Sequence, residues 1–530
     1  MKTTKNTKSI IQKSLLALSI SLSFGVKAEI THIEINSTEP FGTFRSGEFV
    51  IIKGKLHGEI SPKENIPGLD QIKTNSRGNI EYATKLVLIM PSEKGHGNGA
   101  LLVDVPNRGR AYAQALYNSP RDEPFQSGTF EQGTGFLQDY GYSVAEVYWE
   151  LGQGAELPSF MDKDGKTRFA EGVGFAIMRD TGIFLSKAAA DSMGKPNPLK
   201  GLVSRTIASG KSQTGRFLKT FLLNGFNMAG DRRVFDGMQI FVSGSGLLPI
   251  LQTGTGPESS GNASPNFTNP EMRGVHEKYL TIGDITNEVQ ARGEVPPKMM
   301  LLSTSTDFYS LRASLGRTGA RGTTDQPIPA NVRMYDIAGA SHVLVPKQPK
   351  DCTMPHAVLD WTPVSRATFL RLDEWVTTNS IPPQSRLMSL EKASEKIPTL
   401  PAPAHLPNAV IQVPQLDTDG NALGGVRLPD LVAPLGTHGG QNSPQTFTCS
   451  LIGSYSAFAV NQAEREKNKD SRLSVTERYQ SRDEYVGKIR QAAANLMHEG
   501  LLLQDDMAVI IQAAASSPLF GNTNPNPNPR

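Results

Sequence analysis

The sequence predicts an α/β architecture in which a mostly parallel sheet is covered by helices, and three observations carry it. Short apolar runs, such as residues 100–105, 142–149, 234–242, 298–303 and 332–338, recur between helix- or loop-length segments. Strands that alternate with helices argue for a parallel sheet buried on both faces. A further run, residues 202–208, leads through Ser209-Gly210-Lys211-Ser212-Gln213-Thr214-Gly215-Arg216 into an apolar helical stretch, residues 217–226. That strand–turn–helix order with serine at its apex is the pattern of a nucleophile elbow. Finally, 530 residues supply ample material for a large buried core.

Residues 1–28 read as an export leader. Lys2, Lys5, Lys8 and Lys13 precede an apolar run from residue 15 to 26, and Val26-Lys27-Ala28 offers a small-residue cleavage site. Elsewhere no stretch reaches the ~20 uninterrupted apolar residues that cross a bilayer. The chain is therefore expected to be periplasmic or secreted, with an uncleaved anchor as the alternative. The formal charge of +3 includes five lysines of the leader, so the remainder carries −2. A near-neutral chain without clustered Lys and Arg excludes a nucleic-acid footprint.

Residues 29–99 are polar and β-like, with short strands at 30–35 and 49–52, and form an N-terminal β-rich module packed on the core. Residues 100–380 form the α/β core, with helical periodicity at 174–193 just before the elbow strand. Within it, residues 246–297 are rich in Gly, Ser, Asn and Pro and too long for a simple connection, which makes them a lid or substrate-wall insertion. Residues 381–521 comprise a Pro-rich wrap followed by C-terminal helices. Two capping-box signals, Ser474-Val475-Thr476-Glu477 and Ser481-Arg482-Asp483-Glu484, mark helix starts, and Gly500 closes the second helix. Residues 522–530 are expected to be disordered.

The two cysteines, Cys352 and Cys449, both follow the leader. An even count in an exported chain favours one disulfide, the alternative being two buried free thiols. Two cysteines without a paired-histidine spacing make a zinc site improbable, and no cofactor is implied.

Ser212 is the candidate nucleophile, against the bland reading of a helix N-cap. Gly-x-Ser-x-Gly would require glycine at 214, whereas this chain has Thr214 followed by Gly215. A phosphate-binding loop ending in Gly210-Lys211-Ser212 would need glycine at position 205, which is arginine. A serine hydroxyl needs a base to take its proton and a carboxylate to orient that base. The elbow predicts the chain order Ser, acid, His, each just past a strand. Of nine histidines, only His342 ends a strand-plus-glycine turn, Tyr335-Asp336-Ile337-Ala338-Gly339-Ala340-Ser341-His342. Asp307, after the run that ends near Ser303, is the candidate acid; its bland role is a helix cap. Asp336 lies inside a strand and Asp325 in a turn, so both fit less well. The oxyanion donors are expected to be the backbone N–H groups of Gln213 and of Arg108 in Asn107-Arg108-Gly109, unless the latter is an ordinary turn. His438-Gly439-Gly440 follows the nucleophile rather than preceding it and reads as a turn.

The blocks Gly210-Lys211-Ser212-Gln213-Thr214-Gly215-Arg216-Phe217-Leu218, Arg233-Val234-Phe235-Asp236-Gly237, Val105-Pro106-Asn107-Arg108-Gly109, Ala338-Gly339-Ala340-Ser341-His342 and Glu477-Arg478-Tyr479 resemble a bacterial family of alpha/beta hydrolase domain-containing proteins. Its elbow reads Gly-x-Ser-Gln-Ser-Gly-Arg-Phe-Leu. Thr214 replaces the family's second serine, and Asp307 stands where the family usually has Glu. The resemblance covers most of the chain after residue 28. It implies an alpha/beta-hydrolase fold and an exported serine hydrolase, foremost a carboxylic-ester hydrolase acting on a small or oligomeric ester. A peptidase or amidase on the same residues, and an inactive binding protein of the same fold, are the alternatives.

Overall fold

A computed structural model describes residues 29–119, 132–249, 277–394, 399–444 and 446–520. The export leader, the middle of the 246–297 insertion and the tail from 522 lie outside the described residues.

Nine strands form the path of one large sheet: β1 (Glu29–Phe44), β2 (Gly47–Ile60), β3 (Ile80–Pro91), β4 (Ala100–Asp104), β5 (Ser143–Val147), β6 (Arg205–Lys211), β7 (Gly237–Phe241), β8 (Lys298–Thr304) and β9 (Val332–Ile337). Their spatial order is β1-β2-β3-β5-β4-β6-β7-β8-β9, with a two-residue strand, Ala155–Glu156, pairing off β3. β1, β2, β3 and β5 pair antiparallel. From β5 through β9 every pairing is parallel. The β-like residues 29–99 are thus built into the sheet as its antiparallel side.

Burial explains which runs are continuous and which alternate. β4, β5 and β7 are buried at every residue, as expected of parallel strands covered on both faces. β1 is an edge, and Glu29, Glu34 and Glu39 along it discourage pairing with another chain. One face of the sheet packs on α1 (Val173–Lys187), α2 (Gln213–Leu223) and α3 (Ile282–Ala291) through Phe175, Phe217, Phe221 and Ile285. The other face packs on a short helix, α4 (Ser305–Ser310), and on α5 (Thr362–Thr378), with Phe308, Phe369, Leu372 and Trp375 inside.

The Pro-rich segment protects the other edge. Asp336 N–H donates to Arg386 C=O, and Val426 N–H to Asp336 C=O, so the wrap satisfies the outer side of β9 without adding a long strand. The C-terminal helices α6 (Arg482–His498) and α7 (Gln504–Ala515) dock behind α5. There the Arg366 guanidinium meets the Asp506 carboxylate at 2.7 Å, both groups almost fully buried. Ser481 caps α6, its hydroxyl accepting from Glu484 N–H at 3.1 Å, and Gly500 follows the helix with φ 79°. Cys352 and Cys449 are joined in a disulfide across 97 residues.

Candidate active site

The strand order creates the site. β4 leads to β5 on one side, and the chain then crosses back to place β6 on the other, so the loops leaving β4 and β6 converge at a topological switch point. The elbow after β6 is sharp: Ser212 has φ 59° and ψ −112°, a conformation few non-glycine residues adopt. Ser212 N–H donates to Phe241 C=O at 2.9 Å, which ties the apex to β7. Two glycines admit the turn. A Cβ at Gly210 would lie 2.5 Å from Thr214 C=O, and one at Gly215 would lie 2.7 Å from Ser243 Cβ. The glycine this elbow needs is therefore at 215. Thr214 is no encumbrance, because its hydroxyl accepts from Lys211 N–H at 3.0 Å and donates to Lys211 C=O at 3.1 Å.

Ser212, His342 and Asp307 come from three separate strand ends and meet. His342 Nε2 lies 3.0 Å from Ser212 Oγ, and His342 Nδ1 lies 2.7 Å from Asp307 Oδ1. Asp307 is fully buried and opens α4 as well. Its other oxygen, Oδ2, accepts from Thr304 N–H at 2.7 Å and from the Thr304 hydroxyl at 3.0 Å, completing a capping box. The cap and the histidine contact are shared by one carboxylate. Asp336 and Asp325, the other acids of this region, are engaged by Arg317 at 2.7 and 2.5 Å.

His342 rests on a tight frame: the Trp361 indole donates to Ser341 C=O at 3.1 Å, and Gly339 N–H donates to Ser305 Oγ at 2.8 Å. Burial holds the His342 pKa below the usual imidazole value. The hydrogen bond to Asp307 opposes that shift, and the charges of Lys211 and Arg108 add to it. Lys211, inside the elbow, is itself pushed down to about 8 by burial.

The loop after β4 approaches the elbow. Asn107 and Arg110 exchange backbone hydrogen bonds at 2.8 and 3.1 Å, and Arg108 between them is left-handed with φ 51°. Arg108 N–H takes no acceptor among the described residues. Gln213 opens α2, where a helix N–H has no acceptor within the helix. Two residues that sequence reasoning missed fix this geometry. The Asn107 carboxamide donates to Lys211 C=O at 2.8 Å, and Glu150 Oε1 accepts from the Gln213 side chain at 3.1 Å. Asn107 stood inside a block already singled out. Glu150 follows β5, and only the position of that strand beside β4 brings it here. His438, read from sequence as part of a turn, is instead buried on a short strand, Gly436–Gly439, that pairs with Ser454–Ala457; its ring is tilted against Tyr455, centroids 5.0 Å apart, and makes no hydrogen bond to Ser212. Among the described residues no cluster of His, Cys, Asp and Glu could hold a metal ion.

A protein-family model described as an alpha/beta hydrolase domain matches residues 63–512, most of the chain. The chain belongs to this family. Its sheet, crossovers and flanking helices are the alpha/beta-hydrolase fold. No curated protein matches the sequence. Solved structures similar to it include a glucuronoyl esterase from Solibacter usitatus, 13% identical, covering 59% of this chain and 84% of that one, with a TM-score of 0.29. An acetyl xylan esterase from a Thermoanaerobacterium species is 11% identical, covers 52% and 73%, and scores 0.25. An S-formylglutathione hydrolase from Staphylococcus aureus is 9% identical, covers 58% and 91%, and scores 0.26.

Proposed function

We propose that this alpha/beta hydrolase is an exported serine esterase that cleaves carboxylic esters through an acyl-enzyme. The observation that carries the reading is the unbroken hydrogen-bonded chain Ser212–His342–Asp307 at the ends of β6, β9 and β8. In this reading Ser212 Oγ attacks the ester carbonyl while His342 Nε2 takes its proton. Asp307 Oδ1 accepts from Nδ1–H, fixes the tautomer and stabilises the imidazolium. The carbonyl oxygen, now negative, is received by the N–H groups of Gln213 and Arg108. His342 then protonates the departing alcohol. A water enters, gives its proton to His342, and hydrolyses the acyl-Ser212 ester.

The depressed pKa of His342 supports this assignment, since a general base must be unprotonated at working pH. Export rests on the leader at 1–28 and on the Cys352–Cys449 disulfide, a bond that persists in oxidising compartments.

Ser212→Ala tests the mechanism. Its kcat on a 4-nitrophenyl ester is expected to fall by about four to six orders of magnitude, with the thermal transition unchanged and labelling by a fluorophosphonate abolished. Retained turnover would overturn the assignment. Preferential cleavage of peptide amides by the wild type would make the protein a peptidase, and an enzyme inert to both esters and fluorophosphonate would be a binding protein.

A further inference from the structure

We infer that the side chain of Arg108 forms an anion subsite beside the scissile bond, so that the favoured substrate is an ester bearing a carboxylate near its carbonyl. This inference rests on the serine-esterase reading and specifies the substrate class. Arg108 is exposed, yet it is not a loose surface arginine. Its Nη1 donates to Asn107 Oδ1 at 2.9 Å, and the Nδ2 of the same carboxamide donates to Lys211 C=O at 2.8 Å. The guanidinium is therefore two hydrogen bonds from the peptide that joins Lys211 to Ser212. Its backbone is pinned as well, by the Asn107–Arg110 pairing and by the Trp149 indole, which donates to Pro106 C=O at 2.9 Å.

Position alone would not make a subsite; the charge balance adds to it. Of the five N–H donors of a guanidinium, only the one to Asn107 has a partner among the described residues. No carboxylate of these residues lies within ion-pair distance of Arg108. The charge of Glu150 acts on it, and Glu150 Oε1 is engaged by Gln213. Arg110 lies two residues away, and Lys211 is held over the Tyr112 ring at 4.9 Å. Positive charge thus gathers around the nucleophile, while the nearby Asp307 is turned toward His342. A planar fork with free donors, fixed at one end, fits a carboxylate in a bidentate manner. A neutral ester leaves that fork unmatched.

The test compares two matched pairs of esters on wild type, Arg108→Gln and Arg108→Lys. One pair is mono-4-nitrophenyl adipate against 4-nitrophenyl hexanoate, with the carboxylate on the acyl side. The other is 4-carboxyphenyl acetate against phenyl acetate, with it on the alcohol side. In at least one pair the wild type is expected to favour the anionic ester in kcat/KM. That ratio is expected to fall tenfold or more in Arg108→Gln and to recover in part in Arg108→Lys. A purely structural or oxyanion-loop effect would lower both members of a pair together and leave the ratio unchanged. An unchanged ratio, or a wild-type preference for the neutral ester in both pairs, overturns the subsite. If Arg108→Gln does not fold, rising ionic strength must still slow wild-type turnover of the favoured anionic ester more than that of its neutral partner; equal slopes overturn the proposal. Failure of the wild type on the neutral esters too would instead defeat the esterase reading.

Discussion

Asp307 divides its carboxylate between two partners, His342 on Oδ1 and Thr304 on Oδ2. An amide cannot accept on both sides, so Asp307→Asn is expected to lower kcat by about 10⁴ and to cost about 1 kcal/mol of stability through the weakened cap. Thr304→Ala separates the two roles: it is expected to cost a similar stability with far less loss of kcat. Steady-state kinetics and thermal unfolding on both variants check this. His342 supplies a second prediction at the same scale. Burial favours its neutral form, so protonation that silences the base occurs only at lower pH. The acid limb of kcat/KM is expected to have its midpoint below the ordinary imidazole value of about 6.5. A midpoint above it would mean that Asp307 outweighs burial.

The elbow is an element whose parts depend on one another. Gly210 and Gly215 admit the crossing of β6 and α2 against β7, and the Thr214 hydroxyl closes the turn on both sides of Lys211. Thr214→Ser keeps the hydroxyl and is expected to cost less stability than Thr214→Val. The latter keeps the shape but strips a buried N–H and C=O of their partner, for about 1–3 kcal/mol. Unfolding in denaturant gives the comparison, with the slope serving as a check that the unfolded state is unchanged. The Asp307 cap of α4 works likewise as an element-scale device, because the helix start sets where the acid lies relative to His342.

For the whole molecule, the disulfide closes a loop of 97 residues that contains α5 and the Pro-rich wrap. Such a loop is expected to gain about 4–5 kcal/mol from the restricted unfolded chain. Replacing both cysteines by alanine should lower the thermal transition and leave kcat at low temperature close to wild type, since the bridge packs in a small apolar cluster of its own with Ile452 and Val345. A calorimetric scan of the double variant, paired with an ester assay, reads both. The buried Arg366–Asp506 pair complements this link by fastening α7 to the core.

The strands after the antiparallel side, the elbow, both helix caps near the C-terminus and the candidates Ser212, His342 and Asp307 were legible in the chain because each is written locally. Apolar runs announce buried strands, Ser-x-x-Glu announces a helix start, and a glycine turn after a strand announces an exposed side chain. Legibility ended where a contact joins distant segments. No local pattern says that Glu150 holds Gln213, that Asn107 clasps Lys211, or that residues 29–99 continue the main sheet. Even Thr214, which looks too large for its place in sequence, is explained only by the hydroxyl's two bonds and by the space that Gly215 leaves. Periodicity and turn chemistry act over a few residues, so the kind of fold and the types of residue at its strand ends are written in the chain. Which of those ends meet depends on strand order and crossover, which no short stretch of chain encodes and which emerge only in the folded molecule.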